Sequence, residues 1–440
     1  MSTAAVQERP NAKGEATTPT SNTTSRDDLK VNRSWKTPIS LTIFGLLSLI
    51  AFGLGVDGGA ISRIDLNSQG VPMELAPIEV PTMVTNIVLS VLMLILAGVS
   101  YWYAARGAKT PTWMLIVFGV LFLTALIVFV GANANVPLTW LLTGTLALST
   151  PLIFGSMAGL VSERVGVVNI AIEGQLLAGA FTSALIASMT QSAFLGLLGA
   201  IVAGMLVSLI LAVFSIRYVV EQVVVGVVIN MLVTGLTSFL HGSVMARSPG
   251  FANSPPKYPK WEIPFLSDIP VIGPLLFDNT PIVYLMLILV PALTFVVFRT
   301  RWGLRMRAVG EHPKAADTVG INVNRTRFWN VMLSGAIAGA GGSFFTLGSV
   351  GAFGQEMTAG QGYIALAALI FGRWHPVYAA LAGLLFGFAN NLKTLASQVG
   401  AQIPSELMAM IPYVVTVLAV AGFVGQSRGP AAAGTPYVKS

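Results

Sequence analysis

From residue 37 onward, uncharged apolar stretches of about 20 residues recur along the chain, and about 20 apolar residues is what a helix needs to cross a hydrocarbon core of about 30 Å. The pattern predicts transmembrane helices near 37–56, 83–103, 112–131, 139–161, 165–189, 194–216, 222–241, 280–298, 328–348, 377–398 and 404–424. The run Gly362 to Gly372 is too short to span alone. Joined to the glycine-rich segment before it, this run makes a further, broken crossing, because irregular backbone at membrane depth is tolerated where protein or a water cavity surrounds it. The expected fold class is an all-α polytopic membrane protein with about 12 transmembrane segments, one of them short or broken.

Residues 1–36 break the pattern: they are polar, rich in Ser, Thr, Asn and Lys/Arg, and cannot bury enough surface to offset their ordering entropy. They are expected to form a disordered cytoplasmic tail. A secretory signal is not expected, since the first apolar run is long and lacks a small-residue cleavage pattern before Asp57. The organisation that follows is a tail over 1–36, N-terminal membrane segments over 37–135, a main body over 136–426 and a second cytoplasmic tail over 427–440.

Composition sharpens this picture. Only 10% of the 440 residues are charged, against roughly 25% in an ordinary soluble protein, while 54% are hydrophobic and the mean hydropathy is +0.76. A normal soluble surface is excluded. The net charge of +7 fits cytoplasmic loops facing anionic headgroups rather than nucleic acid, and no basic-aromatic patch suggests a nucleic-acid site. With no cysteine, disulfides, thiolate metal sites and cysteine nucleophiles are ruled out.

The distribution of that charge gives an orientation. Arg299, Arg301, Arg305, Arg307, Lys314, Arg325 and Arg327 outweigh Glu311 and Asp317 in the segment 299–327, which places it in the cytoplasm. The proline-rich loop after His241 balances its charges, and residues 57–82 carry one arginine and four acids, so both are expected outside. An even number of crossings then leaves both termini inside.

Three stretches carry candidate chemistry. In Ser162-Glu163-Arg164-Val165-Gly166-Val167-Val168-Asn169-Ile170-Ala171-Ile172-Glu173-Gly174-Gln175, a continuous helix from the membrane face would carry Glu173 roughly 15 Å inward, near the midplane, with Asn169 one turn away on the same face. A carboxylate there needs a partner or water. Asn169, Glu173, Gln175 and Asn230 are the candidates for lining a translocation pathway or for tying helices together, and both readings stay open. In Gly303 to Ile321, Pro313 starts and Gly320 stops a helix of about two turns. In Gly360 to Pro376, small residues permit close approach of helices, as they do in the GxxxG pairs Gly155/Gly159, Gly335/Gly339 and Gly383/Gly387.

Taken in order, SERVGVVNIAIEGQLLAGAF, GLRMRAVGEHPKAADTVGI and GQGYIALAALIFGRWHP resemble the inner-membrane permease subunits of bacterial ABC importers for nucleosides, simple sugars and branched-chain amino acids, with the nucleoside-type branch nearest. The resemblance covers about residues 140 to 425. It implies a type II importer fold in which Glu311, His312, Pro313, Ala315, Ala316, Asp317 and Gly320 belong to a coupling helix seated in an ATP-binding subunit. It also implies a second permease subunit, a paralogue or a second copy, and an extracytoplasmic solute-binding lipoprotein. Ribose-type relatives carry an acidic Gly-Gly-Ile-Asp-type sequence where this chain has Gly166-Val167-Val168-Asn169, which favours nucleosides.

No GxxxxGK[ST] loop occurs, so ATP and Mg are expected in the partner subunit and no cofactor or metal in this chain. The expected function is a non-enzymatic permease moving a nucleoside or related small solute across the bacterial inner membrane. The alternative is an ion- or proton-coupled secondary transporter, with Glu173 and Glu356 as coupling carboxylates. A membrane-embedded enzyme is disfavoured, because His241, His312 and His375 are scattered and HExxH is absent.

Overall fold

Each long apolar run becomes a helix, because in hydrocarbon a segment must pair its own backbone N–H and C=O groups. The computed structural model describes residues 35–67, 75–399 and 429–438. In chain order its helices are α1 (Lys36–Leu47, continued in π form to Gly53), α2 (Thr82–Ala105), α3 (Thr112–Val130), α4 (Leu138–Glu163), α5 (Ile172–Thr190), α6 (Ala193–Ala212, continued in π form to Arg217) and α7 (Gln222–Leu240, continued to Met245). A single turn, α8 (Pro249–Ala252), precedes α9 (Pro281–Arg299). Then come α10 (Arg301–Glu311), α11 (Pro313–Thr318), α12 (Val323–Ser343, continued in π form to Val350), α13 (Gln361–Phe371) and α14 (Pro376–Gln398).

Among the described residues nine helices, α1 to α7, α9 and α12, are long and apolar enough to cross a membrane. The expected 12 crossings are not reached there. The short α13 occupies the broken crossing expected at 362–372. Helix α14 forms where a span is expected, yet Asn390, Asn391 and Lys393 lower its hydropathy and it is not among the nine. The span expected at 404–424 lies outside the described residues.

Two expected boundaries are corrected. The helix expected over 165–189 starts only at Ile172, because Gly166 turns the chain with a φ of +85° and Ser162 Oγ ties back to the Val167 carbonyl at 2.7 Å, so the helix cannot run through. The helix expected at 328 starts five residues earlier, at Val323, where the Asn322 side chain caps it by accepting from Arg325 N.

Burial sorts the helices into layers. The most apolar windows of α4, α5 and α12 are 83%, 72% and 83% buried, against 28–39% for the other six, so these three form the centre. Small residues let them close in. A Cβ on Gly339 of α12 would stand 3.0 Å from the Gly204 Cα of α6, and one on Gly155 of α4 only 2.7 Å from the Ala365 Cβ of α13.

The N-terminal helices build a second core. Leu41, Phe44, Phe52, Met93, Phe118 and Val130 cluster with Leu141 of α4 and with Phe388, Leu392 and Leu395 of α14. A small sheet, in the order β2 (Ile78–Pro81), β1 (Ile61–Asp65), β3 (Asn135–Pro137), links this unit to the start of α4; β1 pairs antiparallel with β2 and parallel with β3. A second, two-stranded sheet, β4 (Trp261–Glu262) with β5 (Asp278–Asn279), lies in the loop before α9.

Candidate functional site: a polar hub and a docking end

The chain between α4 and α5 is not helical, so its backbone groups must find partners elsewhere. Side chains from distant helices supply them. Gln222 Oε1 accepts from Val168 N at 2.7 Å, Arg327 Nε donates to the Val165 carbonyl at 3.1 Å, and Asn230 Nδ2 donates to the Ile170 carbonyl at 2.9 Å. This segment delivers Glu173 to the first turn of α5 rather than to the middle of a helix. Asn169 therefore does not stand one turn below Glu173 on a common face, because it precedes the helix.

Two helix N-termini meet at Glu173. Its Oε1 accepts from Thr358 Oγ1 at 2.6 Å and Gly360 N at 2.9 Å, and its Oε2 accepts from Gly362 N at 2.6 Å. The carboxylate thus caps α13, where free N–H groups and the positive end of the helix dipole favour a negative group. Asn230 of α7 performs the matching task for α5: its Oδ1 accepts from Gly174 N at 2.8 Å and its Nδ2 donates to Tyr363 Oη at 3.0 Å. Contact is close enough that a Cβ on Gly362 would lie 2.6 Å from the Glu173 Cα.

Asn169 and Gln175 form a neighbouring knot. Asn169 Nδ2 donates to Gln175 Oε1 at 3.1 Å and to Ser334 Oγ at 2.9 Å, while Gln175 Nε2 donates to Ser208 Oγ at 2.9 Å. The knot joins the α4–α5 connection to α5, α6 and α12, and both residues are fully buried. In this conformation they face no open path. Glu173 and Asn230 are also buried, at 8% and 5% exposure, whereas Tyr363 beside them is 47% exposed. The structure therefore brings the four candidates together, but the side chain it presents outward is Tyr363. Its signal was an amphipathic aromatic next to the glycine that opens the broken crossing. Glu356 is exposed in the loop before α13, two residues ahead of the Thr358 that bonds Glu173.

The second candidate region lies at one end of the bundle. The segment 299–327 is not a loop with one stub, as expected, but two helices and the start of a third, because Gly303, Met306, Val309 and Gly310 give α10 a buried side. His312 separates α10 from α11, Pro313 takes the first helical position, and Gly320, with a φ of +85°, ends the turn as Ile321 N returns to the Ala316 carbonyl at 3.0 Å. Ala316 points inward, while Glu311, His312, Ala315 and Gly320 are exposed and Asp317 is half-buried.

The base beneath α11 is bonded from several sides. Residues 429–438 lie across it: Ala432 N donates to the Gly310 carbonyl at 2.9 Å, Arg327 Nη1 donates to the Thr435 carbonyl at 3.0 Å, and the Tyr437 side chain bonds that of Asp317. Trp374, just past α13, donates from Nε1 to Glu163 Oε2 at 2.6 Å, and Arg164 Nε donates to its carbonyl at 3.0 Å. Those bonds hold Arg373 and Trp374 at φ values of 52° and 53°, a backbone region costly for side-chain-bearing residues. His375 stacks on Phe298 at 4.9 Å, and burial first, then the Arg164 charge, holds its pKa below the ordinary histidine value.

Comparison with known proteins places this geometry in context. The family model described as branched-chain amino acid transport system / permease component matches residues 141–420. The chain is 43% identical over 314 residues to the guanosine ABC transporter permease protein NupQ of Bacillus subtilis, covering 69% of this chain and 97% of that one. To the nucleoside ABC transporter permease protein NupC of Lactococcus lactis it is 40% identical over 303 residues, covering 66% and 94%. To the putative glucose ABC transporter permease protein TsgC13 of Haloferax volcanii it is 34% identical over 258 residues, covering 58% and 76%. No solved structure matches the chain.

Proposed function

The chain belongs to the branched-chain amino acid transport system / permease component family, and from that premise we propose that it is the membrane-spanning subunit of an ATP-driven importer for nucleosides. The nucleoside class is supported by the likeness to NupQ and NupC over 97% and 94% of their lengths. The chain supplies the path and no hydrolytic chemistry. ATP and Mg belong to a separate ATP-binding subunit, the solute is handed over by an extracytoplasmic binding lipoprotein, and a second permease subunit completes the pore. Segment 299–327, residues 429–438 and both termini face the cytoplasm, a reading supported by the excess of Arg and Lys at that end.

The observation that carries this reading is the exposed, capped α11 on a base bonded from several sides. A lever must be rigid, and the bonds beneath α11 support that role. A physical route leads inward from it: α10 touches the α4–α5 turn where Gly310 packs against Arg164, Arg164 and Glu163 hold Trp374, and Trp374 ends the helix whose other end Glu173 caps. Seating α11 in a moving ATPase would tilt α13 and with it the junction beside Tyr363. Glu173, the carboxylate a proton-coupled carrier would use, is occupied in capping, which favours the ATP-driven reading.

The test is co-purification from the native membrane, followed by mass spectrometry of bound subunits and an assay of nucleoside-stimulated ATP hydrolysis. Recovery of an ATP-binding subunit whose hydrolysis rises with nucleoside and binding protein supports the proposal. A chain that purifies without any such subunit and still moves nucleosides rejects it.

A further inference from the structure

Where α6 ends and α12 begins, a groove of about 540 Å³ opens between Ala212, Val213, Ile216, Arg217, Asn324, Arg325 and Phe328. Both helices are long enough to span a membrane, so their adjoining ends lie at headgroup depth. Exposed aromatic residues mark the same level: Tyr218 follows Arg217, and Trp329 lies one turn beyond Arg325, at 64% and 57% exposure. Amphipathic rings concentrate at the membrane–water interface.

The floor of the groove is apolar and its rim is cationic. Arg217 and Arg325 are separated by more than a hundred residues in sequence yet reach the same groove. Among the described residues the ion pairs are Arg63 with Glu79 and Lys260 with Asp278, so neither rim arginine has a carboxylate partner, Glu221 included. This contrasts with Arg164 and Arg327, whose guanidinium groups donate to backbone carbonyls. Two unpaired guanidinium groups above an aliphatic and aromatic floor, at headgroup depth, complement a molecule with one phosphodiester charge and an acyl chain.

We propose that this groove binds an anionic phospholipid, with its phosphate between Arg217 and Arg325 and its glycerol and acyl carbons over Ile216, Val213 and Phe328. The site would tie the end of α6 to the start of α12, the helix that follows α11 after the Gly320 turn. It rests on the membrane-spanning character of α6 and α12 and not on the identity of the transported solute.

The experiment is native mass spectrometry of the purified full-length chain in detergent, titrated with phosphatidylglycerol or with phosphatidylcholine of the same acyl chains. The expected result is one retained phosphatidylglycerol per chain above the phosphatidylcholine background, with no displacement by millimolar inorganic phosphate. Arg217→Gln with Arg325→Gln should weaken retention about thirty-fold, from about one charge interaction lost per arginine, while the Lys replacements at both positions restore most of it. Arg299→Gln, an exposed arginine at the end of α9 outside the groove, should change nothing. Since both rim residues are exposed, the variants should elute as the parent does; if the double variant does not, the two single Gln variants are each expected to weaken retention about five-fold. Equal retention of the two lipids, unchanged retention in the Gln variants, or displacement by phosphate alone would each overturn the proposal.

Discussion

Glu173 has two oxygens and three donors. A glutamine in its place keeps one acceptor oxygen and turns an N–H₂ group toward either Gly362 N or the Thr358–Gly360 pair, so donor meets donor. Hydrogen bonds to a charged group are worth about 1.5–3 kcal/mol each. Glu173→Gln is therefore expected to lower the thermal unfolding temperature of the purified protein as well as abolish uptake. An unchanged unfolding temperature would show that the cap is dispensable to the fold. That Glu173 needs a partner was legible from the sequence; the partners themselves were not, because Thr358, Gly360 and Gly362 follow 185 to 189 residues later and no local pattern announces such a pairing. His375 gives a second residue-scale expectation. Its folded pKa lies below the unfolded value, so as pH falls below about 6.5 the unfolded chain takes up a proton that the folded chain resists. Stability is complete above that pH and declines beneath it, and His375→Gln should flatten this part of a thermal-shift profile. An identical profile in the variant would assign the decline to other groups.

Among the elements, α11 was the easiest to anticipate and α10 the hardest. Proline at the first helical position and glycine just past the end are local signals, and both stand where they should. Helix α10 carries Arg301, Arg305 and Arg307 within 11 residues, and that charge density reads as loop until Met306 and Val309 are seen packed. The α4–α5 junction misled for the opposite reason: an apolar run continued while Gly166 broke the helix, and the apolar period does not register a left-handed turn. Ala316→Pro tests the lever directly. It removes the Ala316 N bond to the His312 carbonyl, at 2.9 Å, and introduces a ring where the side chain is buried, at a cost of about 3 kcal/mol in a helix interior. The variant is expected to insert normally and to lose ATPase pull-down or nucleoside-stimulated hydrolysis. Full pull-down with full stimulation would mean that coupling uses another element.

For the molecule as a whole, the division expected near residue 136 is the feature whose meaning the sequence least disclosed. Helices α1–α3 do not stand apart, because their core is completed by Leu141, Phe388, Leu392 and Leu395 of the body. In a bilayer, uncovering these apolar faces to lipid costs little, since lipid tails are as apolar as the helices removed. A chain starting at residue 136 is therefore expected to insert and to transport, with a lowered unfolding temperature in detergent, where packing lost is not replaced. Complete loss of uptake in well-inserted truncated protein would assign the N-terminal helices a part in transport itself. The central claim, a path without its own energy source, is tested most directly by nucleoside uptake into proteoliposomes containing this chain with its co-purified subunits and binding protein. Uptake should require ATP, stop when the partner ATPase is inactivated, and ignore collapse of the proton gradient by a protonophore. Uptake by this chain alone, driven by an imposed pH gradient without ATP, would contradict the claim.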